Sequence, residues 1–289
     1  MVGKTAGPVI RAVVVDVDGT VLRSDQTISP ATRHAVAEVI GLGVPVILAS
    51  SRSLRGLEPV QAALGLVGQY LVAFQGALTG RLTGILTGIL TGRNASDFEV
   101  LDELPLELSR ARDIAVMASA AGYSVSWYAG TNWHVDTVDD RVRREASVTG
   151  ETPVVADLLR LTSGPHKLLC IGPDGTSPGQ LRQMAARMPA GTVGRRSHSS
   201  YLEVTASAAD KPTGVRALGE HLGFDADGVV AFGDGDNDLG MFAYAGTSVA
   251  MGNATPALLA AATMTTTSQD EDGVALALRR LIDNGSISG

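Results

Sequence analysis

The stretch Ala12-Val13-Val14-Val15-Asp16-Val17-Asp18-Gly19-Thr20 decides the fold. Four consecutive apolar residues, mostly β-branched, fit a strand buried on both faces, as in a parallel sheet. The run ends abruptly in two carboxylates and an Asp-Gly turn. Outward from it the pattern repeats. Ser29 and Pro30 suit the start of a helix that Gly41 and Gly43 stop. Val44 to Ala49 is a second buried strand, ending at Ser50-Ser51-Arg52. A second helix runs from about Leu54 to Leu64, and Tyr70 to Phe74 is a third strand. Strands alternating with helices predict a doubly wound, mostly parallel α/β sheet of Rossmann-like type.

The same texture returns near the other end. Tyr201 to Val204 reads as a strand, Pro212 to Leu222 as a helix, and Gly228 to Phe232 as a strand ending in Gly233-Asp234-Gly235-Asp236-Asn237-Asp238. Helices at 239–245, 256–262 and 273–282 and a strand at 248–251 follow. The middle of the chain lacks long β-branched runs and mixes helices with short strands, as an α+β module does. The expected organisation is a core of residues 1–79 and 193–289 with an α+β cap, residues 80–192, inserted in it. Residues 78–92 carry Leu-Thr-Gly four times. A glycine every turn disfavours a helix by about 1 kcal/mol each, so the repeat reads as an irregular ribbon or hairpin. A tandem duplication in a tolerant surface connection, dispensable for chemistry, accounts for it better than a ligand loop does.

Composition bounds the function. The chain has 289 residues, a formal net charge of -7 and no basic stripe, which argues against a nucleic-acid partner. A single cysteine, Cys170, excludes an intramolecular disulfide and a Cys-rich zinc site; it sits in an apolar run as a small buried hydrophobe. No apolar stretch reaches the ~20 residues that span a bilayer, and the N-terminal apolar run meets Asp16 too early for a secretory signal. A soluble cytoplasmic protein with no membrane partner is the expectation, its oligomeric state left open.

In open α/β sheets, ligands bind beyond the carboxyl ends of the strands. Those ends offer Asp16 and Asp18, then Ser50, then Asp234, Asp236, Asn237 and Asp238. Two like charges 4 Å apart repel by about 4 kcal/mol at an effective dielectric of 20. Converging carboxylates therefore need a counter-charge, and Mg²⁺ on oxygen ligands is the default where phosphate is handled. A calcium loop is excluded by spacing, since Leu239 and Ala245 stand where glycine and glutamate are required. The five histidines show no metal-ligand spacing. His134 with Trp127, Tyr128 and Trp133 reads as cap packing rather than a substrate pocket. Arg195, Arg196 and His198 either meet the polar end of a substrate or sit at a solvated junction.

Taken in order, Asp16-Val17-Asp18-Gly19-Thr20, Ser50, Lys211 before a helix, and Gly233 to Asp238 resemble the four motifs of the haloacid dehalogenase superfamily. The chain is most similar to its Cof-type phosphatases, whose cap lies between the second and third motifs; Glu271-Asp272-Gly273-Val274-Ala275 is similar to their closing segment. The resemblance implies a Mg²⁺-dependent phosphatase acting on a small phosphorylated metabolite, either a sugar phosphate or a phosphorylated cofactor such as pyridoxal phosphate or FMN. It implies Asp16 as nucleophile, forming an aspartyl-phosphate, and Asp18 as general acid and base. Asp16, the Asp18 carbonyl and Asp234 would hold the metal, with Asp238 behind them holding metal-bound water or Lys211. Ser50 and Asn237 would bind phosphoryl oxygens, and Lys211 would offset the charge on Asp16 and phosphate. Ser50-Ser51-Arg52 replaces the usual Thr-Gly-Arg, Pro212 the usual glycine after Lys211, and Gln75-Gly76-Ala77 the usual Asn-Gly-Ala; the last change touches expected substrate contacts. A phosphomutase using the same Asp16, and a non-catalytic binding protein on the same fold, are the alternatives.

Overall fold

In a computed structural model of the chain, residues 9–82 and 98–289 are described. The β-branched run forms β1 (Ala12–Val15), and every residue in it is buried. Around it lie β2 (Val46–Ala49), β3 (Tyr70–Ala73), β4 (Leu78–Leu82), β5 (Phe98–Glu103), β12 (Val229–Gly233), β13 (Thr247–Ala250) and β14 (Met264–Thr265). The sheet order is β14-β13-β12-β1-β2-β3-β4-β5. Pairing is parallel from β14 to β3 and antiparallel for β3–β4 and β4–β5.

Alternation along the buried strands sends side chains to two separate layers. Val13, Val15, Val46, Leu48, Val230 and Phe232 pack against α1 (Pro30–Gly41), α2 (Leu54–Leu64) and α9 (Gly273–Asp283). Ala12, Val14, Ile47, Val229 and Ala231 pack against α6 (Lys211–Leu222), α7 (Leu239–Tyr244) and α8 (Pro256–Ala261). This is the doubly wound core that the first strand predicts. The helix starts follow local chemistry. Ser29 caps α1 by accepting from the Thr32 amide at 3.0 Å, with Pro30 in the first turn, and Asp210 caps α6 by accepting from the Thr213 amide at 3.0 Å.

A second sheet has the order β10-β11-β9-β6-β7-β8. Its strands are β6 (Ser124–Ala129), β7 (Asn132–Val135), β8 (Val154–Val155), β9 (Lys167–Ile171), β10 (Thr192–Arg196) and β11 (Tyr201–Ala206). α3 (Leu108–Ala120) and α5 (Pro178–Ala185) pack on one face, through Ile114, Leu181, Trp127, Leu168 and Val204. The other face, carrying Tyr128, Trp133 and Leu169, joins the hydrophobic cluster of the core and also meets α4 (Asp140–Thr149).

Two expectations shift. Leu78–Leu82 is not a surface ribbon: it is the buried core strand β4, paired with β3 and β5. Thr79 lies wholly buried in it, and a side chain at Gly80 would overlap the Glu99 carbonyl, so glycine and threonine here serve close strand contact. The rest of the repeat, residues 83–92, lies outside the described residues. Tyr201 to Val204, read as a core strand, belongs to β11, which pairs with β9 and β10 in the smaller sheet. By sheet membership, then, strands to residue 103 go with the core and 192–206 with the cap. The cap aromatics pack as expected rather than lining one pocket, since alternation puts Trp127 on one face of the sheet and Tyr128 and Trp133 on the other.

The turn after β3 puts three consecutive residues in the left-handed region. Phe74, Gln75 and Gly76 have φ of 51°, 60° and 96°, and a side chain at Gly76 would overlap the Asp210 carbonyl. Gly76 thus lets the turn lie directly against the start of α6. We expect Gly76→Ala to lower stability by about 1–3 kcal/mol or more, from backbone strain alone. Urea unfolding should show a lower midpoint at unchanged slope, with Lys211, next to Asp210, displaced and activity reduced.

Candidate active site

The carboxyl ends of β1 and β12, which are neighbours in the sheet, bring Asp16 and Asp234 together. The carboxylates of Asp16, Asp234 and Asp238 each offer an oxygen within 4.8 Å of the others. Lys211, the first residue of α6, is wholly buried beneath them. Its Nζ donates to Asp16 Oδ1 and, at 2.6 Å, to Asp238 Oδ1. Asp238 is the most committed of the three: its other oxygen accepts from the backbone amides of Asp234 and Gly235, both at 3.1 Å. Asp16 keeps Oδ2 free of these bonds. Asp234 Oδ1 accepts from Thr20 Oγ1 at 3.2 Å, and Asn253 Nδ2 donates to its Oδ2 at 3.3 Å.

This donor set fits a hard divalent cation. It offers carboxylate oxygens only, from one or two residues, which leaves positions for water and phosphate, the usual manner of Mg²⁺. The electrostatics call for such a charge. Burial pushes the Asp16 carboxyl up, against the pull of Lys211 and with Asp238 adding to the rise. Burial, reinforced by Asp238, pushes Asp234 up to about 6. Burial alone would lower the Lys211 ammonium, but Asp16 and Asp238 outweigh it and hold it above the ordinary lysine range. One buried cation thus faces three carboxylates. Gly19 is required at the floor of this cluster: its φ is +78°, and any side chain there would overlap the Asp234 carboxylate.

The other expected residues sit around this centre in different ways. Ser50 is buried at the end of β2, its Oγ accepting from the Arg52 amide at 3.2 Å. Asn237 is exposed on the short turn after Asp234. Asp18 is turned away from the cluster, half exposed, and held by Arg52 in a two-pronged pair at 2.6 and 2.8 Å. That bond, more than burial opposes it, raises the Arg52 guanidinium. Cys170 is fully buried, its thiol pushed up by burial to about 12, and takes no part. Arg195 reaches Thr205 at 3.4 Å on the cap sheet, while Arg196 and His198 are exposed.

Two positioning groups escape sequence reasoning. Asn253 binds both Asp234 and, at 2.8 Å, the carbonyl of Gly19, tying the ends of β1 and β12 together. It lies between β13 and α8, and no spacing rule links it to Asp234. Arg52 stands in a quoted motif, but its bond to Asp18, 34 residues away, is a tertiary fact.

The comparisons agree with this geometry. A model of haloacid dehalogenase-like hydrolases matches residues 13–278. A Haemophilus influenzae protein whose name places it provisionally among the phosphatases is 33% identical over 270 residues, covering 93% of this chain and 97% of that protein. The 5-amino-6-(5-phospho-D-ribitylamino)uracil phosphatase of Bacillus subtilis is 24% identical, over 92% of this chain and 96% of its own. A haloacid dehalogenase-like hydrolase of Bacteroides thetaiotaomicron superposes with a TM-score of 0.80 at 27% identity, covering 94% of this chain and 99% of that one. From β1 to α9, this chain belongs to the haloacid dehalogenase-like hydrolase family.

Proposed function

We propose that the enzyme hydrolyses the phosphate monoester of a small metabolite, through an aspartyl-phosphate on Asp16 and with Mg²⁺ bound. The observation that carries this reading is the buried Asp16–Lys211–Asp238 triad beside Asp234. Lys211 occupies Oδ1 of Asp16 and leaves Oδ2 as the attacking oxygen. A carboxyl whose proton affinity is raised by burial is the better nucleophile once it is ionised. Asp16 and Asp234, with the Asp18 carbonyl, would hold Mg²⁺, which would supply positive charge that draws electrons from the phosphoryl group. Ser50 and Asn237 bind phosphoryl oxygens, and Lys211 balances the charge on Asp16. Asp18 gives its proton to the departing oxygen and then takes one from the attacking water. The chain divides into a catalytic core and a cap that covers the leaving group.

Among similar proteins, one is named for a phosphorylated ribitylamino-uracil and another, from Cronobacter sakazakii, is an HMP-PP phosphatase. Both names describe small-molecule phosphates, which supports a sugar phosphate or a phosphorylated cofactor as the substrate class here. No helix among the described residues is long and apolar enough to cross a membrane.

Asp16→Asn, isosteric but a poor nucleophile, should lower kcat by roughly 10³-fold or more while the protein still folds, as its circular dichroism would show. Beryllofluoride or acid-quench trapping should mark residue 16 in the parent alone. Wild-type turnover by this variant would remove Asp16 from the mechanism.

The metal should follow a defined pH course. Asp234 sits above its unfolded value, so the metal-free native state takes up a proton as pH falls through about 6. That uptake stabilises the metal-free fold toward lower pH and competes with the cation. Calorimetry should therefore find Mg²⁺ bound at least about tenfold more weakly near pH 5 than near pH 7.5, with protons released on binding. EDTA should abolish activity, and excess Ca²⁺, with its longer bonds and larger coordination number, should inhibit.

A further inference from the structure

One place where the cap meets the core is a short segment, the loop between β2 and the first turn of α2. Lys167, at the start of β9, donates from Nζ to the Ser51 carbonyl at 2.9 Å. Glu151 accepts from Ser53 Oγ, and Arg55 Nε donates to the Thr131 carbonyl at 2.8 Å. Residues 51, 53 and 55 are thus each held from the cap. The same loop carries Ser50 and Arg52, and Arg52 holds Asp18. On its other side the loop is tied to the strained turn: the amide of Gln75 donates to the Ser50 carbonyl at 2.9 Å, and that of Phe74 to the Arg52 carbonyl at 3.0 Å.

Lys167 is the unusual member of this contact. It is 5% exposed, and burying an ammonium is costly unless it is well partnered. Its partners are Glu203 Oε1 at 3.2 Å, the Ser51 carbonyl, and the faces of Tyr128 and Phe74, whose ring centroids lie 5.2 and 5.8 Å from Nζ. Phe74 comes from the core and Tyr128 from the cap, so the cation is seated at the seam itself. Glu203 is the carboxylate bonded to it, and the buried Glu151 also interacts with its charge. The bond to Ser51 satisfies a backbone carbonyl that stands between the two residues reaching the site.

We propose that Lys167 is a positioning residue for catalysis. It clamps the Ser51 carbonyl and so sets Ser50 against the phosphoryl group and Arg52 against Asp18, making the active arrangement depend on the seated cap. The inference rests on the phosphatase reading above. It differs from a role in leaving-group recognition, because the clamp acts on groups that every phosphate ester uses.

The test compares wild type, Lys167→Met combined with Glu203→Gln, and Lys167→Arg. The double variant removes the two charges bonded to one another, and Glu151 keeps Ser53 and Arg55 as partners. The substrates are p-nitrophenyl phosphate and a hexose 6-phosphate, with inorganic phosphate as competitive inhibitor. Expected is a fall in kcat/KM of roughly 10–100-fold, of equal size for both esters, with phosphate inhibition weakened in parallel and a smaller loss in Lys167→Arg. A loss confined to the hexose phosphate would make Lys167 a leaving-group contact and overturn the proposal; so would unchanged kinetics. Should the double variant fail to fold, Lys167→Arg carries the same test, since it keeps the charge while displacing the donor that meets Ser51. Wild-type kinetics there, or loss on one ester only, would overturn it. A wild-type protein that neither releases phosphate from any ester nor binds phosphate would sink the phosphatase reading itself, before any variant is compared.

Discussion

Lys211 is the charge on which the active centre is built. An ammonium removed from water is tolerable only when opposite charge and hydrogen bonds meet it. Here Asp16 and Asp238 do so from two different strand ends, and the backbone amides of Asp234 and Gly235 complete the shell of Asp238. Everything that brings these groups together is part of the same constraint. β1 and β12 must be adjacent and in register, with Val15 opposite Phe232. α6 must begin at the sheet's edge of charge, which Asp210 arranges by capping and Gly76 permits by having no side chain.

The remaining imbalance suits the reaction proposed for the centre. Three carboxylates face one lysine, and burial leaves Asp16 and Asp234 with raised proton affinity. A structural ion pair would be more evenly matched. On the proposed reading, an unevenly matched one takes a further cation and a phosphoryl group together, because the two arrive with opposite charge. Thr20 and Asn253 hold Asp234 still while this happens, so little reorganisation is needed at the moment of reaction.

The two sheets answer different physical demands. The core needs rigid strand ends, and it has them in uniformly buried parallel strands. The cap is largely antiparallel and presents one face to its own helices and the other to the core. Its grip on residues 51–55 uses polar contacts at a seam that also holds Phe74, Tyr128 and His166, with Phe74 stacked on His166 at 5.8 Å. Phe74 pays for that insertion with a left-handed backbone at a non-glycine position.

Much of this was legible in the amino-acid sequence. Local chemistry determines the strand at Ala12–Val15, the helices begun by Ser29 and Asp210, and the bunching of aspartates at strand ends, since burial period and capping are properties of neighbouring residues. The order of the motifs pointed to the carboxylate centre and to the inserted cap. Tertiary structure alone decided the rest. Leu78–Leu82 looks like a loop because Gly and Thr carry weak local preference, yet pairing with β3 and β5 makes it a core strand. Tyr201 to Val204 reads as another buried strand, and only its partners assign it to the cap. Asp18 with Arg52, Asn253 with Asp234, and Lys167 with Ser51 are separated by 34, 19 and 116 residues. No periodicity reaches across such gaps, because those contacts exist only once the sheets have closed on one another.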